Sequence, residues 1–151
     1  MFFAFILLLI GVARYLFLPS GGGSSDSGPK PVPIAVSKHS DVFNRSMEDV
    51  LASYINLSNA FAGNDTSAIA KAGSQFKNSL DSFKVEELKA DTLIYQTALQ
   101  PFENVKSETA SVISDPSINE KRGSFNILSN ELFSLLSTIR YDLAKLYWHE
   151  C

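Results

Sequence analysis

The chain has 151 residues, a net charge of −3 from 13 basic and 16 acidic side chains, and a single cysteine, Cys151. Acids and bases are interleaved, which excludes the clustered basic surface of a nucleic-acid binder. One thiol excludes an internal disulfide, and there is no C-x-x-C zinc pair or C-x-x-C-H haem attachment.

Phe2 to Leu18 is apolar except for Gly11 and Arg14. At about 17 residues it reaches the lower limit for crossing a hydrocarbon core, and Arg14 lies close enough to its end to snorkel toward headgroups. No lysine or arginine precedes the run and no small-x-small cleavage site follows it, so an uncleaved signal anchor fits better than a cleaved signal peptide. A lipoprotein signal would need a cysteine after the run. Either export reading expects the remainder outside the cytoplasm, in the periplasm or at the cell surface. Arg14 on the distal side of the run does not favour that orientation.

Residues 19–40 read as a linker. Ser20-Gly21-Gly22-Gly23-Ser24-Ser25 is flexible and Pro29-Lys30-Pro31-Val32-Pro33 is stiffened toward polyproline II. Extended, the segment reaches at most ~70 Å. The triple glycine has no strand before it and no lysine-serine or lysine-threonine after it, so it is not a phosphate-binding loop. His39 falls in this tether and reads as solvated.

The globular part, residues 41–151, begins at Ser40 or Asp41. Phe43, Met47, Val50, Leu51, Tyr54, Leu57 and Phe61 recur at helical spacing behind the acids Asp41, Glu48 and Asp49, which suit a helix N-terminus. Gly63 suits a left-handed residue after that helix, and Asp65 suits the cap of the next. The second helix carries Ile69, Ala72, Phe76, Leu80 and Phe83 on one face. Val85 to Ala90 adds a further turn. The third helix begins near Asp91, with Ile94, Ala98, Phe102, Val105 and Val112 inward, and Pro101 predicts a kink or break within it. The last stretch, Ser117 to Cys151, carries Phe125, Leu128, Leu132, Leu135, Leu136, Ile139, Leu143, Leu146 and Tyr147 at steps of mostly three and four. Ser117 and Glu120 have capping-box spacing, and Asp115-Pro116 is the alternative start. One rod of roughly 33 residues, about 50 Å long, is expected there, the longest helix of the chain. Phe76, Leu80, Phe125, Leu128, Leu132, Leu136 and Ile139 should be among the most buried positions. The expected fold is all-α: an up-down-up-down four-helix bundle behind an N-terminal membrane segment and a flexible linker.

The run Ile118 to Leu132 contains Arg122, Phe125, Leu128, Ser129 and Leu132 in the pattern R-x-x-F-x-x-L-S-x-x-L. It is similar to the signature of the bacterial domain of unknown function 3347. Leu146-Tyr147-Trp148-His149-Glu150-Cys151 resembles the beginning of that family's Tyr-x-x-x-Cys-Pro-Met segment, and the first helix with Gly63-Asn64-Asp65 resembles its opening hairpin. The resemblance covers roughly Asp41 to Cys151. It implies an extracytoplasmic, often anchored domain that accompanies heavy-metal efflux or copper-handling proteins. The sequence stops at the cysteine, without the Pro-Met that would follow, so a metal site carried over by resemblance would be incomplete.

From the residues themselves, His149 and Cys151 are the adjacent soft ligands, and thiolate with imidazole suits Cu(I) or Zn(II). Residues i and i+2 point to opposite sides of a helix, so both could reach one ion only from a frayed turn. An exposed thiol that oxidises or dimerises is the alternative for Cys151. Arg122 and Ser129 stand two helical turns apart beside the apolar stripe. They read either as an arginine at the core edge with its head paired, or as part of a ligand site inside the bundle. Tyr147 and Trp148 read as packing over the bundle's mouth or as an interface. The Asn-x-Ser/Thr triplets at Asn44, Asn56 and Asn64 read as chance occurrences rather than glycosylation sites. With two histidines in all, no Ser-His-acid set and no Glu-x-x-His pair, an enzyme is not expected. Two functions remain. One is a membrane-tethered accessory module for copper or other heavy-metal handling, with an efflux or copper-delivery protein as partner. The other is a structural or adaptor bundle that binds a protein partner with no metal role.

Overall fold

The structure, a computed structural model, describes residues 38–144. The apolar segment 2–18, most of the linker, and Tyr147, His149 and Cys151 lie outside the described residues. Within them the chain is all-helical, with no strand: α1 is Asp41–Ala62, α2 Thr66–Ser82, then a 3₁₀ helix Val85–Ala90, α3 Thr92–Ser114 and α4 Ile118–Ile139. None of these helices is long and apolar enough to cross a membrane.

The starts of the helices are dictated locally. Ser40 caps α1 by accepting from the Phe43 amide. Asp65 caps α2 through Ser67 N and Ala68 N, and Asp91 caps α3 through Leu93 N and Ile94 N. Ser117 and Glu120 form the reciprocal capping box of α4, so four side chains each relieve otherwise orphaned N–H groups. Asp115 ends α3 instead of starting α4, and its carboxylate accepts from Ser124 Oγ at 2.7 Å.

Several expectations change. The left-handed residue after α1 is Asn64 (φ 54), while Gly63 stays right-handed; asparagine tolerates that region because its short amide bonds locally. Pro101 sits buried inside an unbroken α3, where it lacks an amide for the carbonyl of Thr97. The rod expected to run to Cys151 stops at Ile139. Arg140 turns left-handed there, so α4 spans 22 residues against 23 for α3 and is not the longest helix.

Each helix packs antiparallel against the next. Phe43 of α1 meets Phe83 beyond α2 (ring centroids 5.1 Å), and Phe83 meets Phe102 of α3 (5.5 Å). Gly73 lets α2 and α3 approach closely: a Cβ there would stand 2.9 Å from Ile113 Cγ1. The core runs through all four helices and includes Met47, Val50, Leu57, Ile69, Phe76, Val105, Leu128, Leu135 and Ile139, each fully buried. Leu132 is 2% exposed, and Leu88 joins the core from the 3₁₀ helix. The α1 and α4 backbones come close at few points, and aromatic rings fill the space between them. Phe125 stacks on Phe61 at 4.5 Å and on Tyr54 at 5.6 Å. Phe125 is therefore half-buried in a wide seam and not among the most buried residues.

Candidate functional site

Two of the residues singled out in the sequence lie along the α1–α4 seam. Ser129 Oγ donates to Phe125 O at 2.7 Å, the usual way a mid-helix serine satisfies its hydroxyl. It also accepts from Tyr54 OH at 2.9 Å. Arg122 is exposed, and its guanidinium donates to Asn64 Oδ1 at 2.5 Å, pinning α4 to the turn between α1 and α2. Arg122 and Ser129 share a seam, but seven residues separate them by about 10 Å along the axis, and each bonds a different partner. Tyr147, His149 and Cys151 lie outside the described residues.

The richest chemistry lies at the opposite end, where the chain enters α1 and leaves α4. The end of α4 is a Schellman arrangement: Tyr141 N donates to Leu136 O (3.2 Å) and Arg140 N to Ser137 O (3.3 Å). Glycine is the residue that fits the left-handed position without strain, and arginine there costs roughly 1 kcal/mol. Ile139 O, a further orphan carbonyl, accepts from His39 Nε2 at 2.9 Å. That bond fixes the imidazole as protonated on Nε2, and the ring stacks on Phe43 at 4.5 Å. Asn44 Nδ2 donates to His39 O, and Ser40 Oγ to Glu87 Oε2 at 3.1 Å. His39 is thus bound into the bundle and not merely solvated, as a residue of the tether would be.

Between these segments, the 3₁₀ helix and the start of α3 lies a cleft of about 450 Å³. Its floor is apolar, from Phe43, Leu88, Ile94 and Ile139, and its rim carries Lys38, Glu87, Asp91 and Arg140. Nearby charges are tied locally. A hydrogen bond from Lys89 holds the Glu86 carboxyl below the usual carboxylate range, Tyr95 OH adds to it, and the same pair raises Lys89. Next to Arg140, burial pushes the Tyr141 phenol up, and the charges of Glu48 and Asp142 push it further.

A metal implied by the resemblance finds no fit here. Among the described residues no three His, Cys, Asp or Glu side chains converge on one point, and the described histidine spends Nε2 on a backbone carbonyl. His149 and Cys151 remain the soft donors of the chain, outside the described residues.

Sequence reasoning missed three residues. His39 acts over a separation of 100 residues, which no local pattern announces. Arg140 breaks a stripe that Leu143, Leu146 and Tyr147 continue. Lys121 is 3% exposed; its ammonium donates to Val112 O (2.7 Å) and Ile113 O (3.0 Å), capping α3 from α4. The one available signal for Lys121 was its place one turn after the N-cap Ser117, facing the end of the preceding helix.

The family model described as "Protein of unknown function (DUF3347)" matches residues 50–142. That is more than half of the chain, and the chain belongs to this family. The matched span holds the α1–α2 turn, Lys121, Arg122, Ser129 and Arg140, and ends before Tyr147. No curated protein and no solved structure matches.

Proposed function

We propose, from this membership and from where the chain enters and leaves the bundle, that the protein is a non-catalytic accessory module. It is an up-down-up-down bundle tethered outside the cytoplasm by residues 2–18 and serves a heavy-metal, above all copper, efflux or delivery protein. The observation that supports this reading is the hydrogen bond between His39 Nε2 and Ile139 O. It joins the chain's entrance to α1 and its exit from α4 at one end of the bundle. His149 and Cys151 follow Arg140 by nine and eleven residues, a reach of at most about 40 Å. In this reading the bundle acts as a holder for the soft donors.

The test is a competition titration of Cu(I) against a chelator under reducing conditions, with full-length protein and Cys151→Ser. Binding that weakens in acid and is lost in Cys151→Ser is expected, because thiolate and imidazole must both be deprotonated to bind. Indistinguishable curves remove the metal role. The reading that then stands is the adaptor bundle.

A further inference from the structure

The geometry points to the cleft beside His39 as a binding site for a small zwitterion with an apolar body, of the class of the free aliphatic α-amino acids. Its volume, about 450 Å³, falls in the range of small-molecule sites, roughly 300–1,000 Å³. Half-buried Ile94 gives the cleft its accessible apolar surface, above Phe43, Leu88 and Ile139, which are buried beneath it, and that surface suits an aliphatic side chain. The rim is balanced, two cations and two carboxylates, so a net-neutral ligand with separated charges matches it better than a simple anion or cation.

The charged groups have capacity to spare. Glu87 uses Oε2 for Ser40, and Asp91 uses Oδ1 for Leu93 N and Ile94 N, which leaves Glu87 Oε1 and Asp91 Oδ2 to accept from an ammonium. Neither the Lys38 ammonium nor the Arg140 guanidinium has a hydrogen bond or ion pair among the described residues, and both are exposed at the cleft. A guanidinium presents paired donors that match a carboxylate. Arg140 occupies the left-handed position that glycine fits best. That choice is unexplained by the fold and accounted for by a ligand carboxylate. His39 and Ser40 form the wall, so an occupied cleft ties the chain's entrance, the 3₁₀ helix and the exit of α4 together. The site is separate from His149 and Cys151 and needs no metal.

The experiment is a methyl NMR titration of the full chain in lipid nanodiscs, with a chelator present, using L-leucine as the probe. L-leucine should shift the methyl signals of Leu88, Ile94 and Ile139 saturably. Isoamylamine, which lacks the carboxylate, and isocaproate, which lacks the ammonium, should each bind about tenfold more weakly, as loss of one charged hydrogen-bonding partner predicts. Arg140→Gly is the informative variant, because it keeps the helix cap and should melt no lower than wild type while binding leucine about tenfold more weakly. No saturable shift with L-leucine, equal binding of isoamylamine, or unchanged affinity in Arg140→Gly would overturn the proposal.

Discussion

The two ends of the bundle are closed in different ways. At the end holding the α1–α2 and α3–α4 turns, closure is by side chains reaching backward. Lys121 covers the last carbonyls of α3, and Arg122 clasps Asn64. The Lys121 ammonium is sealed from water and satisfied by protein carbonyls. At the other end, closure depends on the chain's own entrance: His39 covers Ile139 O, and the remaining surface is an open cleft with a charged rim. The comparison teaches that the turn end is built for rigidity. The end through which the chain passes is held by side-chain bonds none of which is fully buried.

That contrast can be broken by measurement. Leu132→Ala, midway along the bundle, sets the scale and should cost about 2–5 kcal/mol in denaturant unfolding; a loss under half a kcal/mol would mean that the α4 stripe does not face the core. Lys121→Met, which keeps the stem but strips the ammonium from Val112 O and Ile113 O, should cost about 2 kcal/mol. His39→Ala, at the open end, should cost about 1 kcal/mol and raise amide exchange in the last turn of α4. A larger loss at His39 than at Lys121 would reverse the comparison.

The smallest effect should be at high pH. The folded state raises the Tyr141 pKa through burial and through Glu48 and Asp142, so it favours the protonated phenol. The resulting stabilisation is complete below the unfolded value, about 10, and is lost as pH rises through the folded value. Tyr141→Phe should therefore flatten the alkaline decline of stability relative to wild type, read together with tyrosinate absorbance. Identical slopes would show that Tyr141 is solvated when folded.

The helices were legible because their information is local. Apolar steps of three and four place Ile69, Phe76 and Leu80 inward, and Ser117 with Glu120 marks a start that the structure reproduces atom by atom. The end of α4 was illegible for the converse reason. Leu143 continues the stripe, arginine is no stop signal, and the carbonyl that the turn at Arg140 leaves open is met by His39 from 100 residues away. Gly63 and Asn64 both tolerate the left-handed region, so composition alone could not assign it. Phe125 kept its face but not its burial, because helical period fixes direction and says nothing of how far away the neighbouring helix stands. The candidate site was the least legible part. Lys38, Glu87, Asp91 and Arg140 are scattered in sequence and ordinary in type, and only folding brings them to one rim.

The bond between His39 and Ile139 also has a mechanical consequence. A pull on the chain entering α1 against one on the chain leaving α4 enters the bundle at one end, through two antiparallel helices. Force applied in that geometry peels the helices apart one contact at a time and does not shear them along their length. The His39 bond would part first, then the ring contacts of the α1–α4 seam, Tyr54 before Phe61. The turn end, with Lys121 and Arg122, would be the last to feel the strain.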